Sequence, residues 1–171
     1  MKRILGIAMS IAVVMALTLN GSAGNSSKYA VPQAGHPKEI VQLFAAWNSH
    51  EPDKVAAAFT EDGVYEDVTA GHVSRGRAEI RKWAEGGFGA FGNLKMEAVS
   101  SSYHNGRGVT EWVWSATDKA DKGLFKTGKS FSVRGVSVYE VRKGKISRYT
   151  EYYDGAAIMK QIGLPMPTEK E

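Results

Sequence analysis

Residues 94 to 154 alternate apolar and polar side chains with a period of two. This pattern is typical of β-strands with one buried face, because successive side chains point to opposite sides of a sheet. It predicts four strands, at about residues 94–103, 109–117, 130–141 and 145–154. Asn105-Gly106 and Lys143-Gly144 suit the hairpin turns between them, which require positive φ. We therefore expect an antiparallel meander in the second half of the chain.

The first half of the chain carries helical spacing instead. Four apolar residues recur at intervals of three and four and predict a first helix from Pro37: Ile40, Leu43, Phe44 and Trp47. Pro52 suits the start of a second, shorter helix, and residues 77–85 form a third. Between them we expect a turn at 60–63 and a brief strand at 64–68. Helices followed by a meander predict an α+β domain with helices on one side of a curved antiparallel sheet.

Glycines interrupt these patterns at three places. Residues 71–76 are predicted to loop. Residues 86–92 hold four glycines around Phe88 and Phe91, which indicates either a pocket lid or a loop anchored by two rings. Gly135 breaks the alternation of the third strand and predicts a bulge or a bend there.

The N-terminus is typical of a secretory signal peptide. Met1-Lys2-Arg3 precedes an apolar run over residues 4–19 and small residues at Gly21 and Ala23. An uncleaved anchor is the alternative, although the run is shorter than the about 20 residues of a spanning helix. We therefore expect a signal peptide at 1–23, a flexible leader at 24–36, one domain at 37–164 and a tail at 165–171. The protein is then secreted or periplasmic, without stable membrane insertion after cleavage.

Composition limits the partners and cofactors. The chain has no cysteine, which excludes disulfides, thiolate metal sites and a lipid-anchored lipoprotein. The formal net charge of +4 includes Lys2 and Arg3, and the remaining excess is too small to indicate nucleic-acid binding. Four lysines cluster in one predicted loop, at positions 119, 122, 126 and 129, where a solvated loop is the plainest interpretation.

Two sets of residues look like functional motifs but predict neither a nucleotide site nor a metal site. Residues 123–130 read Gly-Leu-Phe-Lys-Thr-Gly-Lys-Ser and match the phosphate-loop pattern, but a strand follows where a helix is needed to hold phosphates. The four histidines are predicted in loops without metal-ligand spacing: His36, His50, His72 and His104. We expect neither a metal nor a cofactor.

The last strand carries the strongest candidate for chemistry. Extended backbone places Tyr149, Glu151 and Tyr153 on one face, so a carboxylate lies between two aromatic rings. On an exposed face such a glutamate is inert, whereas in an aromatic pocket its pKa rises and it exchanges protons near neutrality. Trp112 and Trp114 share a face of the second strand, as either pocket wall or core filling.

The order of these elements resembles the SnoaL-like polyketide cyclase group of the nuclear transport factor two and ketosteroid isomerase superfamily. Collinear strings carry the resemblance, beginning with Phe-Thr-Glu-Asp-Gly-Val-Tyr at 59–65 and continuing at 76–80, 127–129, 144–146, 152–154 and 161–163. The resemblance implies a cone-shaped fold with a curved, mostly antiparallel sheet wrapped by about three N-terminal helices. It also implies an apolar pocket and a homodimer packed sheet to sheet.

Site residues follow from the same resemblance. An acid on the last strand serves as acid/base in the cyclases and activates water in the similar limonene epoxide hydrolases, and Glu151 matches it. Tyr65 and Asp67 match a Tyr and an Asn of the hydrolases. The hydrolases' Arg and Asp fall at Trp112 and Trp114, so that relay is absent here.

The expected function is binding of a hydrophobic small molecule, with general acid/base chemistry of cyclase, isomerase or hydrolase type. Glu151, Asp67 and Tyr65 are the catalytic candidates. The expected ligand-binding residues are all aromatic: Trp112, Trp114, Tyr149, Tyr153, Phe88 and Phe91. A carrier that only shelters its ligand is the alternative, and a purely structural dimerisation module is a third. For the homodimer we expect the opposite sheet face to pair, at residues such as Glu111, Val113 and Tyr152.

Overall fold

A computed structural model describes residues 35–165, which form four helices and one sheet of six strands. The helices are α1 (Lys38–Asn48), α2 (Pro52–Ala57), α3 (Gly76–Ala90) and α4 (Gly155–Ile162). The strands are β1 (Phe59–Asp67), β2 (His72–Arg75), β3 (Phe91–His104), β4 (Arg107–Asp118), β5 (Ser130–Arg142) and β6 (Lys145–Tyr153).

The sheet is mixed and runs in the order β2-β1-β6-β5-β4-β3. The strands β3 to β6 form the predicted meander, and β1 joins it by pairing parallel to β6. The sheet is curved and open, with the helices against its inner face. The α+β class with a mostly antiparallel sheet is therefore confirmed.

The core lies between the helices and the inner sheet face. The apolar stripe of α1 contributes Ile40 and Leu43, both fully buried, and α3 contributes Ile80. Trp112 of β4 and Tyr149 of β6 supply large buried rings from the sheet. Burying these side chains stabilises the fold by roughly 1.5–3 kcal/mol each. This packing fixes the helices over the strands that carry the candidate site.

Both predicted hairpin turns are confirmed. Asn105 and Gly106 have φ of 48° and 80°, and Lys143 and Gly144 have φ of 52° and 71°. Consecutive positive φ values are those of a type I′ turn, which matches the twist of the flanking strands.

Three predictions between residues 60 and 92 are wrong. Residues 60–63 do not turn but belong to β1, where the pairing with β6 shifts register between Phe59 and Val64. Residues 72–75 form the edge strand β2 within the predicted loop. The third helix continues through the glycine-rich segment to Ala90, and Phe91 already begins β3. Phe88 packs edge-on against Trp47 at 5.2 Å, so tertiary contact outweighs the poor helix propensity of glycine.

The helix α4 was not predicted, although its ends carry clear signals. Asp154 caps its N-terminus by accepting a hydrogen bond from Ala157 N at 2.9 Å. Gly163 ends it with a left-handed φ of 78°.

Gly135 does not form a bulge. It pairs in unbroken register with Trp112 on one side and Tyr153 on the other. A Cβ at this position would lie 2.2 Å from Cη2 of Trp112. The glycine therefore makes room for the indole, and the register shift of β5 lies between Glu140 and Val141.

The predicted signal peptide, nearly all of the leader and nearly all of the tail lie outside the described residues. Within residues 35–165, no helix has the length and apolar character to cross a bilayer.

Candidate functional site

A pocket of about 490 Å³, its open mouth included, lies between the helices α1 and α3 and the inner sheet face. Its lining is mostly aromatic and aliphatic and contains two carboxyl groups: Trp47, Tyr65, Asp67, Trp83, Gly87, Phe91, Leu94, Met96, Trp112, Trp114 and Glu151. Apolar walls with a few converging polar groups are typical of small-molecule sites.

Glu151 and Tyr65 form the central contact of this pocket. Tyr65 Oη donates a hydrogen bond of 2.5 Å to Glu151 Oε1, between residues that are 86 positions apart in the sequence. Parallel pairing of β1 with β6 brings them together, because Tyr65 is the register partner of Tyr149 and Asp67 that of Glu151. Both side chains are buried, with Tyr65 only 3% and Glu151 7% exposed. The geometry therefore holds the carboxyl group in a fixed position at the pocket wall.

Asp67 is the second buried acid, directly beside Glu151 in the sheet. Its Oδ1 accepts from Ala70 N at 2.8 Å and its Oδ2 accepts from Tyr153 Oη at 2.9 Å. Burial raises the pKa of Asp67, and these hydrogen bonds oppose the rise because they favour the charged form. Asp67 therefore accepts hydrogen bonds from two donors, whereas Glu151 accepts one, from the phenol of Tyr65.

The pKa of the Glu151 carboxyl is raised to about 8. Burial is the main cause, the neighbouring Asp67 adds to it, and the hydrogen bond from Tyr65 works in the opposite direction. Burial, followed by the charge of Glu151, also raises the pKa of Tyr65 well above its ordinary range. At neutral pH Glu151 is then mostly a neutral acid that can donate a proton and take one back.

A family model described as a SnoaL-like domain matches residues 40–149. The chain belongs to the SnoaL-like domain family. The match runs from the first turn of α1 to Tyr149 within β6, so it includes the strand that carries Tyr65 and Asp67 and ends two residues before Glu151.

Solved structures share the fold of this SnoaL-like domain. A hypothetical protein with a ketosteroid isomerase-like fold from Catenulispora acidiphila, in complex with trimethylamine, is 23% identical with a TM-score of 0.69, covering 75% of this chain and 95% of that one. A putative polyketide cyclase from Silicibacter sp. is 20% identical with a TM-score of 0.59, covering 72% and 92%. TerC, co-crystallized with polyporic acid, is 15% identical with a TM-score of 0.61, covering 74% and 96%. No curated protein matches the chain.

The SnoaL-like domain brings most of the sequence-predicted site residues into one pocket. Tyr65, Asp67 and Glu151 lie together, and Trp112, Trp114 and Phe91 form walls around them. The remaining three predicted ligand-binding residues, Tyr149, Tyr153 and Phe88, are not among its lining residues.

Those three residues lie behind the walls and support them. Tyr149 stacks on Tyr65 at 5.3 Å, and its Oη accepts a hydrogen bond of 2.5 Å from Ser137 Oγ. The same Ser137 Oγ accepts from Trp112 Nε1 at 2.6 Å. This buried chain of contacts fixes the positions of one wall residue and of the phenol that binds Glu151.

Tyr153 and Phe88 hold other parts of the lining. Tyr153 donates to Asp67 and packs edge-on against Trp114 at 5.4 Å. Phe88 contacts Trp47 and stacks on His50 at 5.2 Å. Both therefore act on the pocket through neighbouring side chains.

Five wall residues of the SnoaL-like domain were not predicted from the sequence: Trp47, Trp83, Gly87, Leu94 and Met96. Trp47 and Trp83 follow the apolar stripes of α1 and α3, and such a stripe indicates only that a residue faces inward. The size of the two indole rings was the available signal for a pocket role. It does not decide the question, because a large ring on an inward stripe either fills the core or borders a cavity.

His50 and His72 have structural contacts. His50 Nε2 lies 2.9 Å from the Leu94 carbonyl oxygen. His72 belongs to strand β2, not to a loop as predicted, and stacks on the wall residue Trp83 at 3.9 Å. In the described part of the chain, no three His, Asp or Glu side chains are grouped to hold a metal ion.

Proposed function

We propose that this SnoaL-like protein binds an uncharged hydrophobic molecule that carries a carbonyl group, and that Glu151 moves a proton to and from it. The buried contact between Glu151 and Tyr65 in an aromatic pocket is the observation that carries this proposal. A glutamate whose pKa is raised to about 8 is matched to proton transfer near neutral pH.

The chemistry of the lining disfavours an anionic ligand. The walls contribute two carboxyl groups, and none of the lining residues in the described part of the chain is basic. An anionic ligand would therefore meet repulsion without a compensating cation, whereas a carbonyl oxygen can accept the proton of neutral Glu151.

The reaction we propose is of the cyclase or isomerase type. Neutral Glu151 gives its proton to the carbonyl oxygen, the resulting carboxylate takes a proton from the adjacent carbon, and Tyr65 orients the carboxyl group during both steps. Positioned proton transfer of this kind is worth typically about 10²- to 10⁴-fold in rate. The putative polyketide cyclase and the small-molecule complexes among the structural neighbours are consistent with this class, as proteins of the same fold.

Mass spectrometry of the molecule that co-purifies with the protein gives the starting ligand for the test. Glu151→Gln keeps the shape of the side chain and removes its titration, so turnover should fall by about 10²-fold or more while affinity changes little. Glu66→Gln is the matched control, because Glu66 lies on the outer sheet face and pairs with Arg148. If turnover survives Glu151→Gln, Glu151 is a wall residue and does not move the proton. If the starting protein binds the ligand without turning it over, the protein is a carrier of the same fold.

We also propose that the protein is exported, by cleavage after Ala23. The basic N-terminus, the apolar run and the small residues at 21 and 23 support export. Intact-mass analysis of the periplasmic or secreted fraction should find a chain that begins at Gly24. Recovery of the full chain in the membrane pellet would contradict export in this form.

The outer sheet face supports a further proposal, a homodimer. Val109 and Val138 are register partners on β4 and β5, and 42% and 48% of their surfaces are exposed. Tyr152 of β6 is 45% exposed beside Val136. An apolar patch on a sheet face is covered most simply by the same patch of a second copy about a two-fold axis.

A further inference from the structure

The connection between β4 and β5, residues 119–129, presents two apolar side chains to solvent. Leu124 is 66% exposed and Phe125 is 41% exposed, and they are adjacent in sequence. Three exposed lysines surround them along the chain: Lys122, Lys126 and Lys129. We call this segment the lysine loop.

The lysine loop has a defined shape, because Asp118 anchors it from below. Asp118 is fully buried and accepts hydrogen bonds from Phe125 N at 3.0 Å, Thr127 N at 2.6 Å and Thr127 Oγ1 at 2.9 Å. Burial alone would raise the pKa of Asp118, but these hydrogen bonds hold it below its ordinary value. The backbone at the tip and just after it is thus bound to one buried carboxylate, and the apolar side chains stay outside.

Gly123 makes this anchoring possible. A Cβ at Gly123 would lie 2.2 Å from the Lys119 carbonyl oxygen and 2.4 Å from Asp118 Oδ1. Only a glycine lets the chain pass so close to the carboxylate, and the residue directly after it is the exposed Leu124. The exposure of the tip is therefore a consequence of how the loop is built.

The charge of the loop is complementary to an anionic surface. Asp121 is the single exposed acid within residues 119–129, against the three exposed lysines. The negative charge of Asp118 is buried and hydrogen-bonded to the loop itself. Lys160, in the last turn of α4, adds another exposed cation near Lys129, since Lys129 Nζ approaches Gly163 at the end of that helix.

The loop is joined to the pocket wall at its base. Lys119 Nζ donates to the carbonyl oxygens of Phe88 at 2.8 Å and Gly89 at 3.0 Å, and Lys119 N donates to that of Ala90 at 3.1 Å. Gly87 and Phe91, on either side of these residues, line the pocket. A surface that holds the loop is consequently close to the segment that borders the pocket.

We propose that the lysine loop docks the protein on an anionic lipid bilayer. Leu124 and Phe125 enter the boundary between headgroups and acyl chains, and Lys122, Lys126 and Lys129 lie at the level of the lipid phosphates. Two apolar side chains and three cations give weak, reversible attachment. A hydrophobic molecule dissolved in the bilayer then reaches the protein beside its pocket.

The absence of cysteine allows a site-specific test in the whole protein. Leu124→Cys is labelled with a polarity-sensitive fluorophore and mixed with phosphatidylglycerol vesicles or with phosphatidylcholine vesicles. Fluorescence of the label should rise, and its quenching by iodide should fall, with the anionic vesicles only. Val73→Cys, at a 39% exposed valine of edge strand β2, is the control label and should not respond.

Two variants measured by vesicle co-sedimentation separate the apolar and the charged contributions. Replacing the three loop lysines with Gln should weaken binding by about fivefold per lysine, or about 100-fold together, and reduce its salt dependence. The matched control replaces Lys38, Lys82 and Lys143 with Gln and so removes the same charge outside the loop. Because these lysines are exposed elsewhere on the surface, binding should stay within about threefold of the starting protein. Leu124→Ser with Phe125→Ser should also weaken binding by about tenfold or more.

Four outcomes would overturn the proposal. In the first, the fluorescence of the label at position 124 does not change with anionic vesicles. In the second, the labels at positions 124 and 73 respond equally, as expected for attachment through residues 4–19. Equal binding by the two lysine variants would show that only net charge matters. In the fourth, the label at position 124 is protected from iodide in the absence of vesicles, and this protection increases with protein concentration. The loop would then belong to a protein contact.

Discussion

Asp67 and Glu151 are register partners on the parallel strands β1 and β6, so two buried acids stand side by side at one pocket wall. Their environments differ, because Asp67 accepts from a backbone amide and a phenol while Glu151 accepts from Tyr65. Two neighbouring carboxyl groups resist joint ionisation. This relationship gives the pocket one acid whose charged form is favoured by two hydrogen-bond donors and one acid kept neutral at physiological pH.

The stability of the protein should fall as pH rises from about 5 to 8. The pKa of Glu151 is about 8 in the folded protein against 4.5 for an ordinary glutamate, so the folded state binds more protons in this window. The contribution is fully present below the unfolded pKa and is lost as pH rises through the folded pKa, by roughly 3 to 5 kcal/mol at most. Urea unfolding at a series of pH values measures it.

Glu151→Gln should remove most of this slope, and Glu66→Gln should keep it. A residual slope of the same sign is expected from Asp67, whose pKa is also raised by burial. A slope unchanged by Glu151→Gln would mean that another group titrates.

Tyr65→Phe should raise the pKa of Glu151 further. The phenol hydrogen bond favours the charged carboxylate, and its loss leaves burial and Asp67 unopposed. The carboxyl band in infrared difference spectra against Glu151→Gln reports the titration. We expect a loss of about 1–3 kcal/mol of stability as well, because a buried polar group loses its partner. Tyr152→Phe, at an exposed tyrosine on the outer face, should change neither quantity.

Gly135→Ala should destabilise the protein by about 2 kcal/mol or more. Its Cβ would meet the fully buried indole of Trp112, which a hydrogen bond to Ser137 holds in place. Gly86→Ala is the matched control, since no atom lies within 4 Å of a Cβ at this exposed helical site. It should stabilise the protein by about 0.5–1 kcal/mol. Equal effects of the two changes in thermal unfolding would refute the close packing of Trp112 on Gly135.

Val138→Glu should convert the proposed dimer to a monomer. Val138 lies in the outer apolar patch, and a charge there would be buried without a partner on pairing. Val73→Glu introduces the same charge at a similarly exposed position of edge strand β2 and should leave the dimer intact. Sedimentation velocity measures both variants. A monomer of the unmodified protein at high micromolar concentration would contradict the homodimer.

The sequence by itself determined which side chains share a face. Alternation placed Trp112 with Trp114, and Glu151 between Tyr149 and Tyr153, and the structure has both sets facing the interior. The two hairpin turns were equally predictable from Asn105-Gly106 and Lys143-Gly144. Face and turn are local properties, set by the period of the strand and by the φ of individual residues.

Tertiary structure decided which of these faces meet. Nothing within residues 59–67 shows that β1 lies parallel to β6, and that pairing puts Asp67 beside Glu151 and Tyr65 within 2.5 Å of it. Tertiary structure also decides the length of α3, which stays helical through its glycines because Phe88 packs on Trp47. Whether a ring lines the pocket, as Trp83 does, or supports it from behind, as Tyr149 does, depends on packing between segments distant in sequence. Local pattern fixes the direction of a side chain, while its neighbours depend on strand order and helix docking.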